Sequence, residues 1–228
     1  MLKIYGVPIS VHTRKVIVAA RLKQLPFEGV SVVPVIPGNP PPDWRQLSPT
    51  GKIPVLQHGD FTLADSAAIC AYLERVQPQP PLYPADARGY ANALWLEQYG
   101  GGTVFHDIVH PLFHETFVHP KVKQIPTDLA RVGAVLSKTV PEVFGYLETL
   151  AGDAFLAGST LSVADLAVAS NLVTMHYIGY GLERARYPRL ARWFDRVQRE
   201  PAFAATLRAE QPVVQQMALH NLPDAVLA

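Results

Sequence analysis

The chain has 228 residues, 49% of them hydrophobic, with a formal net charge of +1 and a single cysteine, Cys70. That length is one large domain or two small ones, with enough apolar residues for a sizeable core. The charge implies no polyanion partner, one cysteine excludes an intrachain disulfide and a cysteine-only metal site, and no apolar run reaches the ~18 residues needed to span a bilayer.

Leu2 to Tyr5 is a short apolar strand, without the charged-then-apolar pattern of a signal peptide, and Gly6 and Pro8 end it. A cytoplasmic protein is expected. Ser10 precedes a stretch with Val16, Ala19, Ala20 and Lys23 at helical spacing, so it falls at an N-cap. Residues 28–35 read as a second strand, and this strand–helix–strand order favours a parallel pair. The proline cluster at 37–42 is a surface loop, and 43–47 has room for one helical turn.

The segment Gly51-Lys52-Ile53-Pro54-Val55-Leu56 reads as a turn entering a strand with proline at its start, where no ladder donor is needed. Residues 55–58 and 61–63 form a hairpin around Gly59. A helix then begins at Ala64 or Asp65, with Ile69, Cys70, Leu73 and Val76 on one face. The order so far is βαβ, a short helix, then ββα.

A second proline cluster, Pro78, Pro80, Pro81 and Pro84, reads as a linker. Everything beyond is helical. Residues 87–110 form a helix in which Gly100, Gly101 and Gly102 each cost roughly 1 kcal/mol against alanine, which predicts a kink, a break or a close helix contact. Pro111 and Pro141 are expected to disturb their helices. Ser162 with Asp165 is a capping-box pattern before a uniformly apolar run to Tyr177, the pattern of a helix buried in a bundle. Tyr187-Pro188 opens another helix, 201–208 is a short last one, and the tail has weak pattern with length enough to fold over a cleft.

Three blocks, in order and at their spacing, carry a resemblance: Tyr5 to Val16, Ser48 to Leu56, and Asp65 to Ile69. With the Ser162–Asp165 capping box and the Tyr187-Pro188…Trp193 block, nearly the whole chain resembles cytosolic glutathione transferases. The first block is most similar to the phi class and related bacterial members, which use a serine. The resemblance implies an α/β thioredoxin-like N-terminal domain and an all-α C-terminal domain. On that reading residues 1–77 bind glutathione, 78–88 link, and 89–228 form the electrophile pocket. It also implies a homodimer, a cis Pro54, glutathione as co-substrate with no other cofactor, and a small hydrophobic electrophile as second substrate. No nucleic acid, membrane or metal partner is expected.

Under that resemblance Ser10 is the catalytic candidate. A thiolate, not a thiol, attacks, and a hydroxyl donor at a helix start favours the anion. Thr13 and Tyr5 are the runners-up for that role, with Tyr5 on the strand placed to pack in the core; read without the resemblance, Ser10 is a plain N-cap. Asp65 and Ser66 either cap a helix or hold the γ-glutamyl carboxylate at its N-terminus. Ile53, before Pro54, pairs its backbone with the cysteinyl unit. Lys52 is the candidate for the glycine carboxylate, alone or with Asn39 or Trp44, because the 38–42 loop carries no cation.

His106, His110 and His114 recur every four residues, but no His-Glu-x-x-His pattern exists and Pro111 interrupts the column. The preferred reading is that Phe105, His106, His110, Phe113 and Phe117 face the second-substrate pocket. Two other functions share the fold. One is a glutathione-dependent peroxidase or reductase, although no cysteine lies near the first helix. The other is a non-catalytic binding protein, suggested by the cation-poor loop.

Overall fold

A computed structural model describes residues 1–223 and 226. The strands are β1 (Leu2–Tyr5), β2 (Phe27–Val30), β3 (Val55–His58) and β4 (Phe61–Ala64), in the sheet order β2-β1-β3-β4. β1 and β2 are parallel, and β3 runs antiparallel to both β1 and β4. β2 stops at Val30, short of the expected residue 35; Val32 instead turns in to pack with Trp44 and Val55.

Helices α1 (Val11–Leu22) and α3 (Ser66–Val76) pack together beside the sheet. The short α2 (Trp44–Leu47) packs beside β4, bringing Trp44 against Tyr5 and Val55. Cys70 and Leu73 of α3, with Val16 and Ala20 of α1, are wholly buried.

The helical half begins with α4, one continuous helix of four abutting stretches: Ala87–Tyr99, Gly100–Val109, His110–Phe113 and His114–Lys123. The second and fourth have wide, i→i+5 turns. The His110 N–H bonds Phe105 O, five residues back, just before Pro111. Widening the turn makes room for the proline ring without a break. The same device precedes Pro141 in α5, where Val140 N–H bonds Val135 O. α5 comprises the stretches Leu129–Ala134, Val135–Thr139 and Val140–Leu150. Neither proline ends its helix.

Helix α6 (Val163–Tyr177) is the centre of this half: every residue except His176 is buried. Asp165 at its start accepts from the backbone N–H and hydroxyl of Ser162, from Leu156 N–H and from the Trp193 indole, each at 2.8 or 2.9 Å. These four donors offset the cost of burying a carboxylate. α6 lies so close to α4 that a Cβ on Gly100 would stand 3.0 Å from both the carbonyl carbon and the Cβ of Ala167. The Asn171 amide donates to Gly100 O and Ala167 O. Gly100 therefore serves close approach, and the helix runs through all three glycines in a wide turn without a break. α7 (Pro188–Arg199) and α8 (Pro201–Gln216) complete the bundle, α8 running eight residues past the expected end.

Candidate functional site

Between the sheet half and the helical half lies a cleft of about 490 Å³, the size of a small-molecule site. Its elements meet here because two helix starts, those of α1 and α3, point at the same space.

Ser10 is the N-cap of α1 and lines the cleft. Its Oγ accepts from Thr13 N–H at 3.5 Å, a long and weak contact, so the hydroxyl proton is free for another acceptor. The backbone ahead of it is tied to the far half of the chain. Ile9 O accepts from the Arg14 guanidinium at 3.1 Å and from the Thr174 hydroxyl of α6 at 3.2 Å.

Asp65 caps α3, its carboxylate accepting from Ala67 and Ala68 N–H at 2.8 and 3.1 Å. It does so at φ +94°, a conformation non-glycine residues rarely adopt, which aims the turn at the cleft. Ser66 follows at the first helical position. The Ile53–Pro54 bond is cis, as the resemblance implied. Lys52, Ile53, Pro54, Asp65 and Ser66 all line the cleft with Ser10.

From the helical side come Phe105, His106, His110, Phe113 and His114, with Thr174 and Tyr177 of α6 and Met217 and Leu219 of the tail. Phe117 does not reach the cleft; it is buried and stacks on Phe113 at 5.2 Å. Pro111 leaves the histidine column intact: ring centroids are 6.2 Å apart for His106–His110 and 4.3 Å for His110–His114. Among the described residues no group of three or more histidine, cysteine or acidic side chains is arranged to hold a metal.

Other expectations are corrected. Trp44 is buried and donates its indole N–H to Gly51 O, and Asn39 accepts from Val33 N–H, so both brace loops. Tyr5 donates to Gln57 Oε1, and Thr13 is buried against Gly6, where its Oγ1 would stand 2.5 Å from a Cβ. Neither runner-up lines the cleft.

The residue that sequence reasoning missed is His12. It lines the cleft one residue beyond the start of α1, with Nδ1 3.4 Å from Ser66 Oγ and its ring edge-on to Phe105 at 4.4 Å. Burial, reinforced by the Lys15 ammonium, lowers its pKa to about 3, so the imidazole is neutral at pH 7. Its signal was the adjacency to Ser10 within one helical turn.

Residues 4–81 match the glutathione S-transferase N-terminal domain family, and residues 123–196 match the C-terminal domain family. Over 212 residues the chain is 31% identical to glutathione S-transferase 3 of Zea mays, spanning 91% of this chain and 94% of that protein. The chain belongs to the glutathione S-transferase family. It is also 31% identical to human glutathione S-transferase theta-1, over 86% of this transferase and 82% of that one. A glutathione S-transferase structure from Rhodospirillum rubrum F11 superposes with a TM-score of 0.82 at 28% identity, over 91% and 92% of the two chains. The transferase therefore has the family's thioredoxin-like sheet domain and helical domain. Among the described residues no helix is long and apolar enough to cross a membrane.

Proposed function

We propose that this transferase conjugates glutathione to small hydrophobic electrophiles, with Ser10 stabilising the thiolate. The observation that carries the proposal is the convergence of Ser10, at the start of α1, and Ser66, at the start of α3, on one cleft. Ser10 donates its hydroxyl to the sulfur and does not itself attack. The start of α1 adds the positive end of its dipole, which lowers the thiol pKa.

Ser66 takes the γ-glutamyl carboxylate with its hydroxyl and backbone N–H at the start of α3, while Asp65, which caps Ala67 and Ala68 N–H, faces the neighbouring glutamyl ammonium. Ile53 pairs its main chain with the cysteinyl unit, and Pro54 follows it. Lys52 takes the glycine carboxylate. Phe105, His106, His110 and Phe113 form the second-substrate wall. No metal or further cofactor enters the scheme. In this reading 1–77 is the glutathione-binding unit, 78–88 the linker and 89–228 the pocket-forming unit.

Cys70 weighs against thiol exchange. It is wholly buried in α3, and burial pushes its pKa up to about 12. The proposal extends to a homodimer, because Phe61, Val76, Tyr90 and Trp95 on β4, α3 and α4 are large apolar side chains left 38–54% exposed. A sedimentation velocity run giving only monomer at micromolar concentration removes that extension.

Ser10→Ala tests the catalytic proposal. Turnover of a chromogenic electrophile collapses while calorimetric glutathione affinity is largely kept. Unchanged turnover rejects the serine mechanism, and no glutathione binding by the wild type at millimolar ligand rejects the enzyme reading.

A further inference from the structure

The helical wall of the cleft is unusual in chemistry. His106, His110 and His114 stand one above another on α4, all lining the cleft, and none hydrogen-bonds to another group among the described residues. Phe105 and Phe113 are interleaved with them, at 5.7 Å from the His110 ring and 6.4 Å from the His114 ring. A purely apolar electrophile would need the phenylalanines alone. Three unpartnered imidazoles add a strip of N–H donors.

The permanent charges bearing on the column are positive: Arg131 and Lys52 on His110, Arg131 and Lys123 on His114. Lys52 enters the same cleft from the loop before β3. The nearby acids are engaged elsewhere. Glu115 is buried and accepts from Asp128 N–H, His119 and Arg131. Asp65 is capping α3, and Asp107 bears on Tyr99. The other polar groups on this side, the hydroxyls of Thr174 and Tyr177, are bonded to Ile9 O and Glu210.

We propose that the His106–His110–His114 column is an anion-recognition strip and that the transferase's preferred electrophiles are aromatic molecules carrying a carboxylate. The ring lies against Phe105 and Phe113, and the carboxylate accepts from the imidazole N–H groups. This inference rests on the conjugation reading and names the substrate class of its second pocket. Burial and the neighbouring cations hold His110 and His114 below the ordinary histidine value, so both are uncharged donors at neutral pH. Falling pH protonates them while a benzoate stays ionised, so the attraction grows toward acid.

Two product analogues of nearly equal shape separate the charge from the ring: S-(4-carboxybenzyl)glutathione and its neutral amide, S-(4-carbamoylbenzyl)glutathione. Their affinities are measured by calorimetry at about pH 5, 6 and 7, the range below the ordinary histidine value in which these rings gain their charge, with glutathione itself as control. The carboxylate binds more tightly by about three- to tenfold at the lowest pH, the size of a partly exposed charge-assisted contact, and the ratio narrows as pH rises. In His110→Gln/His114→Gln, checked for folding by its unfolding midpoint, the ratio falls toward one and loses its pH dependence. Equal affinity of the two analogues in the wild type at every pH overturns the inference, whether or not the variant folds. So does a preference that is flat with pH and survives in the double variant, which assigns it to Lys52. Loss of glutathione binding itself falls on the conjugation reading and takes this inference with it.

Discussion

Arg14 and Glu210, 196 residues apart in the chain, form a bidentate ion pair with both side chains fully buried, at 2.8 and 2.9 Å. Glu210 also accepts from the Tyr177 hydroxyl, and Arg14 donates to Ser170 O, Thr174 and Ile9 O. Helix α8 thus fixes the backbone next to Ser10 through Arg14. Removing one partner leaves a buried charge alone, which costs about 3–5 kcal/mol. Glu210→Ala is expected to lose that much in urea unfolding and Glu210→Gln less. A loss within ~0.5 kcal/mol, the range of an ordinary surface substitution, contradicts this account.

Ser10→Ala removes one donor to a developing or stable anion, a change of about 10²–10³ in kcat. It also removes a helix cap, about 1 kcal/mol of stability. The ionisation midpoint of bound glutathione, followed by thiolate absorbance, should rise toward that of a free thiol. A midpoint equal to the wild type's would place the activating donor elsewhere, with His12 the first candidate.

Lys52→Met should raise the KM for glutathione roughly tenfold, the loss of one partly exposed charge-assisted contact, with kcat little changed. Glutathione esterified at its glycine carboxylate provides the second arm. It should bind wild type and Lys52→Met alike; a wild type that binds the ester as tightly as the acid contradicts the assignment.

His12 is held neutral, with its pKa lowered from 6.5 to about 3. The unfolded chain therefore binds one more proton between those values. This stability is fully present above pH 6.5 and is lost as pH falls toward 3. The slope from this one group is at most about 1.4 kcal/mol per pH unit, less here because the ring is partly exposed. His12→Asn should flatten the acid limb of stability measured by denaturant between about pH 6 and 4. An unchanged limb would show that the ring charges freely in the folded protein.

Cys70 should be inert. With its thiol pushed up to about 12 inside α3, a thiol-specific disulfide reagent should label the native transferase only at the rate of unfolding. One equivalent should react at once in denaturant. Rapid native labelling, with loss of activity, would revive the thiol-exchange reading.

The strands, α1 and the capped start of α3 were legible because their signals are local: alternation, N-caps, and proline at a strand start. Those signals mark Ser10 and Asp65 only as caps and Pro54 only as a strand start; the roles expected of Ser10, Lys52, Ile53, Pro54, Asp65 and Ser66 came from the resemblance of their blocks. What was not legible depends on distant partners. β2 ends early because Val32 turns toward Trp44. Gly100 reads as a breaker until Ala167 is known to lie against it. Phe117 shares its periodicity with Phe113 but turns into the bundle, and His12 gains meaning only beside Ser66 and Phe105.

The proline-rich stretch between α3 and α4 has the composition of a tether but not the behaviour of one. The Lys23 ammonium, wholly buried, donates to Gln77 O and Pro80 O and pairs with Glu74, whose carboxylate also takes Leu82 N–H. Leu82 O in turn accepts from Val163 N–H at the start of α6. Held at Gln77, Pro80 and Leu82, this stretch is packed structure rather than a free tether. Bonds from α1, α3 and α6 meeting on one connecting segment brace the junction of the two halves from outside the cleft's own walls.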